Sequence, residues 1–181
     1  MCCIAFSGCN HGVTKNLENA NDTVEADSII YDEEYGDIRY YEDEYLYFRY
    51  PSEYTCVQAS NGSIVLMGDT LMHNFMVFDY GELLPNESSE SVVKQMVIRN
   101  LQSDPKAKLT YSSDIPVLPE YKDIQNQYLA IIEVQDEQSP AQVWILGNLL
   151  KNGHIHVSTS RTDNEHDNKM FQAILKTVVM R

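Results

Sequence analysis

Basic residues are scarce in this 181-residue chain, which has 13 Lys and Arg against 27 Asp and Glu and a net charge of −14. Proteins that bind the nucleic-acid backbone need concentrated positive charge, so this composition argues against a nucleic-acid partner. No apolar run reaches the roughly 18 to 20 residues that span a bilayer as a helix. Only four Cys are present, three of them within the first nine residues. The chain is therefore not a disulfide-stapled miniprotein, and its length corresponds to one domain.

The common signatures of catalysis are also missing. The sequence contains no G-x-G-x-x-G, Walker A, G-x-S-x-G or H-E-x-x-H pattern. Nothing in the spacing of the histidines requires a thiol–base pair with Cys56, so we expect this residue to pack as a small hydrophobic side chain. These absences predict a non-catalytic protein with no cofactor.

The negative charge is concentrated early in the chain. Residues 18–53 hold twelve carboxylates and two bases, a net −10, whereas residues 54–181 hold fifteen acids and ten bases, a net −5; Lys15 completes the sum. Residues 10–36 are rich in Asn, Asp and Glu and have few periodic apolar positions. Such a segment buries too little surface to offset its ordering entropy. We therefore predict an acidic flexible tether over residues 10–36 and a single domain over residues 37–181.

The first nine residues, MCCIAFSGC, form an apolar stretch that ends in small residues and a Cys. Phe6-Ser7-Gly8-Cys9 resembles the lipobox of a bacterial lipoprotein signal peptide, although Phe6 stands where Leu is usual and no Lys or Arg precedes the run. The resemblance implies that residues 1–9 are a signal remnant and that Cys9 is lipidated. It further implies a protein tethered by lipid to a membrane of the bacterial cell envelope, facing the periplasm. The alternative is an ordinary disordered N-terminus with reactive thiols.

The hydrophobic pattern of the remainder predicts several strands and two helices. Strands are expected over residues 45–50, 63–68, 73–80, 107–112, 128–134, 142–150 and 154–160, with a further extended segment over 114–118. The segments 128–134 and 142–150 carry apolar residues on both faces, which is typical of the centre of a covered sheet. Asn-Gly pairs at 61–62 and 152–153 indicate tight turns.

Both predicted helices are amphipathic. The first covers residues 87–102, with Asn86 or Ser88 as its N-cap. Its apolar stripe consists of Val92, Val93, Met96, Val97 and Leu101. The second follows a possible capping box formed by Thr162 and Glu165 and continues to the end of the chain. Its apolar stripe consists of Met170, Phe171, Ile174, Leu175, Val178 and Val179.

This element order resembles that of the PsbP-like superfamily, which includes small bacterial lipoproteins. The resemblance is carried by residues 47–51 (YFRYP), the β-meander that runs to Asp79, the helix beginning near Glu90 and the terminal helix over residues 171–180. It implies an α+β fold in which a mainly antiparallel sheet of about six strands is covered by two helices, an α/β/α sandwich. A cystatin-like α+β sheet is the alternative. The family implies a binding or assembly role, with another envelope protein as partner, and supplies no catalytic residues.

Two sets of side chains are candidates for a site. Eight of the twelve tyrosines lie between residues 31 and 54, and we single out Tyr40, Tyr41, Tyr45 and Tyr47 as a possible protein-binding surface. Equally, β-strands select Tyr for packing alone. The second set contains His154 and His156, which alternate on a strand and so share a face. Together with Glu165 and His166 they are candidates for a metal site, or for a hydrolytic enzyme that uses nearby acids.

Overall fold

A computed structural model of the chain describes residues 30–32, 36–68, 73–119, 121–136 and 140–180. Eleven strands and two helices are found in these ranges. In chain order they are β1 (Ile30–Asp32), β2 (Gly36–Glu42), β3 (Leu46–Pro51), β4 (Thr55–Gln58), β5 (Ile64–Met67), β6 (Phe75–Glu82), α1 (Ser89–Ser103), β7 (Ala107–Ile115), β8 (Ile124–Val134), β9 (Ala141–Leu150), β10 (His154–Thr162), α2 (Glu165–Thr177) and β11 (Val179–Met180).

The larger sheet has seven strands in the order β4-β5-β6-β10-β9-β8-β7, and all its neighbouring pairs are antiparallel. The tight turns fall where they were predicted: Gly62 has φ 89° between β4 and β5, and Gly153 has φ 85° between β9 and β10. A positive φ strongly favours Gly, which has no Cβ. The apolar strands β8 and β9 lie inside the sheet, as their two-sided pattern predicts.

The smaller sheet was not expected. Its four strands have the order β1-β2-β3-β11, again with antiparallel neighbours. The predicted strand over residues 45–50, now β3, belongs to this sheet rather than to the main one. The prediction of one sheet of about six strands is therefore wrong in number, although the α+β class with mainly antiparallel pairing and two helices is confirmed. Tyrosine-rich β2 and β3 form their own hairpin. Strand β4 was not predicted, because its sequence TCVQ has no distinctive pattern.

Helix α1 packs on one face of the larger sheet, across β7, β8 and β9. Its N-cap is Ser88, whose side chain accepts a hydrogen bond from the Ser91 backbone while the Ser91 hydroxyl bonds back to the cap. The buried side of the helix includes Val92, Val93 and Val97, which belong to the predicted apolar stripe. They pack against buried residues of β8, β9 and β10 and form the first of two hydrophobic cores.

Helix α2 contacts a strand of each sheet, β3 of the smaller and β10 of the larger. Its N-cap is Asn164, whose side chain accepts from the Asp167 backbone N–H at 2.8 Å. The predicted capping box is therefore wrong, because Thr162 is still the last residue of β10. The helix also ends earlier than predicted, at Thr177. Residues 179–180 extend instead and pair with β3.

The second core fills the space between the smaller sheet, α2 and strands β4 to β6. Its buried residues are Tyr41, Leu46, Phe48, Tyr50, Tyr54, Ile64, Leu66, Met76, Phe78, Met170, Phe171, Ile174 and Val178. The layers are therefore α1, the seven-stranded sheet, and a third layer that α2 shares with the smaller sheet. The third layer is thus not a helix alone, as a simple α/β/α sandwich would require.

The N-terminal predictions fall mainly outside the described residues. This applies to the signal remnant over residues 1–9, to Cys9 and to most of the tether over residues 10–36. Strand β1 lies within the predicted tether, however, and pairs Ile30 with Ile38 of β2. No helix in the described part of the chain combines the length and apolar character required to cross a membrane.

Candidate functional site

The β2–β3 hairpin presents three of the four selected tyrosines at the surface. Tyr40 and Tyr47 are half-buried and lie on adjacent strands with their ring centroids 6.0 Å apart. The Arg49 Nε atom donates a hydrogen bond to the Tyr47 hydroxyl at 3.1 Å. Tyr45, just before β3 begins, is 41% exposed. We call Tyr40, Tyr45 and Tyr47 the tyrosine surface.

Tyr41 does not belong to this surface. It is 3% exposed, and its ring stacks on Phe48 with centroids 5.3 Å apart. Its hydroxyl donates to Asp43 Oδ2 at 2.7 Å. Burial, reinforced by the Asp43 carboxylate, raises the pKa of Tyr41 above its ordinary value. Successive strand residues face opposite sides, so Tyr41 points into the core when Tyr40 points outward. The prediction that Tyr41 contributes to a protein-binding surface is corrected accordingly.

Tyr45 begins a ladder of stacked rings that the sequence did not reveal. Its ring stacks on Tyr80 of β6 at a centroid distance of 4.4 Å, and Tyr80 stacks on His154 of β10 at 5.1 Å. The His154 Nε2 atom lies 3.8 Å from Glu82 Oε1. No sequence motif marks Tyr80, because its place in the ladder depends on the pairing of β6 with β10.

His156 shares a face with His154, as alternation predicts, but it is buried. Its exposed fraction is 1%, and within the part of the chain that the structure describes neither ring nitrogen has a hydrogen-bond partner. Phe78 lies beside it at a ring-centroid distance of 5.8 Å. Burial lowers the pKa of His156 to about 4, with the Asp43 charge opposing the change. The imidazole is therefore neutral near pH 7.

The metal candidates are not brought together. His154 and His156 lie at the start of β10, while Glu165 and His166 lie beyond its other end, in the first turn of α2. The intervening strand spans eight residue steps, about 26 Å at about 3.3 Å per residue. Glu165 instead pairs with Lys169 at 2.8 Å. Within the described ranges no group of three or more His, Cys, Asp or Glu could hold a metal ion. The four metal candidates are therefore not assembled into one metal site in the described part of the chain.

An acidic recess of about 300 Å³ opens beside Tyr45 and Tyr80. It lies between the β2–β3 turn and the β4–β5 turn, and His156 borders it. The Oδ1 atom of Asp43 already accepts hydrogen bonds from the backbone N–H groups of Tyr45 and Leu46. The lining includes Asp43, Glu44, Tyr45, Ser63, Tyr80 and His156. Its carboxylates, hydroxyls and aromatic rings suit contact with polar or basic groups of a partner.

Cys56 is not placed for nucleophilic chemistry. Burial raises the pKa of its thiol to about 12, and the side chain packs against the second core. A thiol with this pKa is almost entirely protonated near pH 7, whereas the thiolate is the reactive form. Cys56 therefore packs as a small hydrophobic residue, as the sequence predicts.

No protein-family model and no curated protein matches the chain. Among solved structures it is similar to the Ran-binding protein Mog1p of Saccharomyces cerevisiae, with a TM-score of 0.53 and 7% sequence identity over 74% of this chain and 89% of that one. A protein of Bacteroides thetaiotaomicron matches 75% of this chain and 45% of its own length, with 10% identity and a TM-score of 0.45. At 7% identity the likeness to Mog1p shows a shared fold alone.

Proposed function

We propose that this chain is a non-catalytic, lipid-anchored protein of the bacterial cell envelope that binds another envelope protein or helps to assemble it. The observation that carries the proposal is the tyrosine surface beside the acidic recess. Exposed tyrosines offer a rigid apolar face with a hydrogen-bonding tip, and they are enriched at protein interfaces. The ring of Tyr45 is held by stacking on Tyr80, and the Tyr47 hydroxyl is held by Arg49, so these side chains are ordered before a partner arrives and lose less entropy on binding.

The fold is compatible with this role. Mog1p, which has a similar fold, is a Ran-binding protein. We further propose that the sandwich is of the PsbP-like type, whose members are binding and assembly modules. The function rests on the surface rather than on the fold, because one fold hosts many functions.

Anchoring would come from Cys9. We propose that residues 1–9 end in a lipobox, that Cys9 carries the lipid, and that the part of residues 10–36 that precedes β1 acts as an acidic tether on the periplasmic side. Each buried acyl methylene contributes about 0.8 kcal/mol, so two or three acyl chains hold a protein firmly without a spanning helix. The intact mass after expression in the native host should show loss of the first eight residues and gain of the acyl groups. A Cys9→Ser variant that keeps the same mass increment would contradict lipidation at this residue.

Protein binding is tested on the surface itself. The variant Tyr40→Ser, Tyr45→Ser, Tyr47→Ser should no longer capture the partner that the wild-type chain captures from solubilised envelopes. Tyr111→Ser is the matched control, because Tyr111 is 42% exposed but lies on β7, in the other sheet. Circular dichroism confirms that each variant is folded. Equal capture by the triple variant and the control would refute a role for the tyrosine surface.

A further inference from the structure

A second concave feature lies on the larger sheet, away from the tyrosine surface. It is a groove of about 340 Å³ on the face opposite α1. One wall is the end of α2 together with β11, and the other is the loop that follows β7. The apolar residues of these walls are Ile115, Pro116, Leu118, Leu175, Val178 and Met180. A volume of this size lies at the lower end of the range for small-molecule pockets, about 300 to 1,000 Å³.

The floor of the groove is polar, in contrast to its walls. Gln127, Asn148 and Ser158 come from the adjacent strands β8, β9 and β10, and all three are buried. Gln127 and Asn148 are direct partners in the β8–β9 register, and Gln127 Nε2 donates to Asn148 Oδ1 at 2.6 Å. Leu146 lies beside them and pairs with Ser158 across β9 and β10.

Ser158 is the unusual member of the floor. It is 3% exposed, and its Oγ atom has no hydrogen-bond partner among the described residues. Buried polar groups are normally paired, because leaving one unpaired costs about 1 to 3 kcal/mol. The Oγ atom has almost no accessible surface, so the side chain must rotate about χ1 to face the groove. A hydroxyl both donates and accepts, so a polar group placed in the groove would then satisfy it.

The charges around the groove indicate the kind of polar group. Of the described residues that line it, Lys176 alone is charged, and Lys176 is exposed at the rim on α2. An ionised group at the floor would lose its hydration without meeting an opposite charge, which is strongly unfavourable. An uncharged hydroxyl or carbonyl would lose much less and would gain a hydrogen bond.

We propose that this groove binds a small amphipathic molecule with an aliphatic body and one uncharged hydroxyl or carbonyl group. The polar group bonds to Ser158 Oγ, and the aliphatic body packs on Leu146, Leu175 and Val178. Apolar walls with a few fixed polar groups are the usual composition of a ligand site. This activity goes beyond the proposed protein binding, which uses a different surface, so either can fail without the other.

Three probes that share one chain length test the proposal: 1-octanol, octanoate and octylammonium. Each is titrated into the full chain, with binding followed by NMR of the methyl groups. We expect 1-octanol to bind most tightly and to give nuclear Overhauser contacts to Leu146, Leu175 and Val178. Tighter binding of octanoate or octylammonium would overturn the uncharged head group. Nuclear Overhauser contacts between the groove residues and residues 1–29, with none to 1-octanol, would show that the chain's own N-terminal segment occupies the groove. That result would also overturn the proposal.

Variants test separately the hydrogen bond to Ser158 and the volume of the groove. Ser158→Ala should weaken 1-octanol binding about fivefold, the effect of one net hydrogen bond. Leu146→Trp should abolish binding by filling the groove, and Leu175→Trp fills it from the wall if the first variant does not fold. Ile98→Trp is the control, because Ile98 is an exposed apolar residue of α1 on the opposite side of the sheet. Unchanged affinity in Ser158→Ala and in a folded groove-filling variant would overturn the proposal.

Discussion

Gly147 of β9 lies directly against Val93 of α1. A Cβ atom built on Gly147 would lie 2.7 Å from Val93 Cγ2 and 3.3 Å from the backbone oxygen of Ser89. Both neighbours are buried on the helix face that meets the sheet. The missing side chain at Gly147 therefore sets how closely the helix approaches β9.

A side chain at this position should force α1 away from the sheet. We expect Gly147→Ala to lower the free energy of unfolding by about 1 to 3 kcal/mol, the usual cost of overpacking a core. Urea denaturation measures the change. Val93→Ala in the same chain should recover part of the loss, because it removes the methyl group that clashes. Simple additivity of the two substitutions would show that the contact with Val93 is not the cause.

Burial of His156 should make stability depend on pH. The pKa of His156 is lowered from 6.5 to about 4 in the folded chain. Between these values the unfolded chain binds a proton that the folded chain does not. The contribution of His156 to the free energy of unfolding is therefore fully present above pH 6.5. It is lost as the pH falls toward 4, by about 3 kcal/mol at most.

The comparison with His156→Phe isolates this contribution, since other titrating groups are common to both chains. The wild-type free energy of unfolding, minus that of the variant, should decrease between pH 6.5 and 4. His166→Gln is the control, because His166 is exposed at the start of α2. A difference that stays constant over this range would contradict the depressed pKa.

The hydroxyl of Tyr54 ties the segment between β3 and β4 to the first turn of α2, where it donates to Asp167 Oδ1. Burial, and then this bond, raise the pKa of Tyr54 above its ordinary value. Tyr54→Phe keeps the ring that packs against Phe171 but removes the donor. We expect a loss of about 1 kcal/mol in thermal or urea unfolding. Tyr111→Phe, at an exposed position, should change stability by less than about 0.5 kcal/mol; an equal loss in both variants would argue against the bond.

The N-cap of α2 gives a direct test of where this helix begins. Asn164→Ala removes the side-chain oxygen that accepts from the Asp167 backbone and should cost about 1 kcal/mol. Asn164→Ser should retain most of the stability, because Ser is also a good N-cap. Urea unfolding of the two variants distinguishes them. A neutral effect of Asn164→Ala would favour the cap at Thr162 that the sequence predicts.

Local signals identified most of the elements. Helix α1 was predicted within two residues at its start and one at its end, because its apolar stripe and its Ser N-cap both depend on neighbours in the sequence. The turns at Gly62 and Gly153 were found for the same reason. Strand β4 and the second sheet were missed, since TCVQ has no distinctive pattern and strand pairing is a long-range property. Residues 178–179 fit the helical stripe, yet Val179 extends to pair with Tyr47 of β3.

The candidate sites depended still more on tertiary structure. Strand alternation correctly placed His154 and His156 on one face, but it could not show that His156 is buried. Nor could it show that Glu165 and His166 lie beyond the far end of β10, about 26 Å along the strand from His154. Tyrosine enrichment pointed to the β2–β3 hairpin, but only the packing of the second core separates buried Tyr41 from surface Tyr40. The groove above Ser158 joins β7, β8, β9, β10, α2 and β11, and no short segment contains its pattern.

The sequence by itself determined the scarcity of positive charge, the α+β class, the turn positions and the amphipathic helices, because composition and periodicity are local quantities. Tertiary structure alone decided the division into two sheets, the ring ladder from Tyr45 to His154 and the polar floor around Ser158. These features arise when residues far apart in the chain are brought into contact by strand pairing and burial. Neither strand pairing nor burial leaves a pattern within a short segment of the sequence.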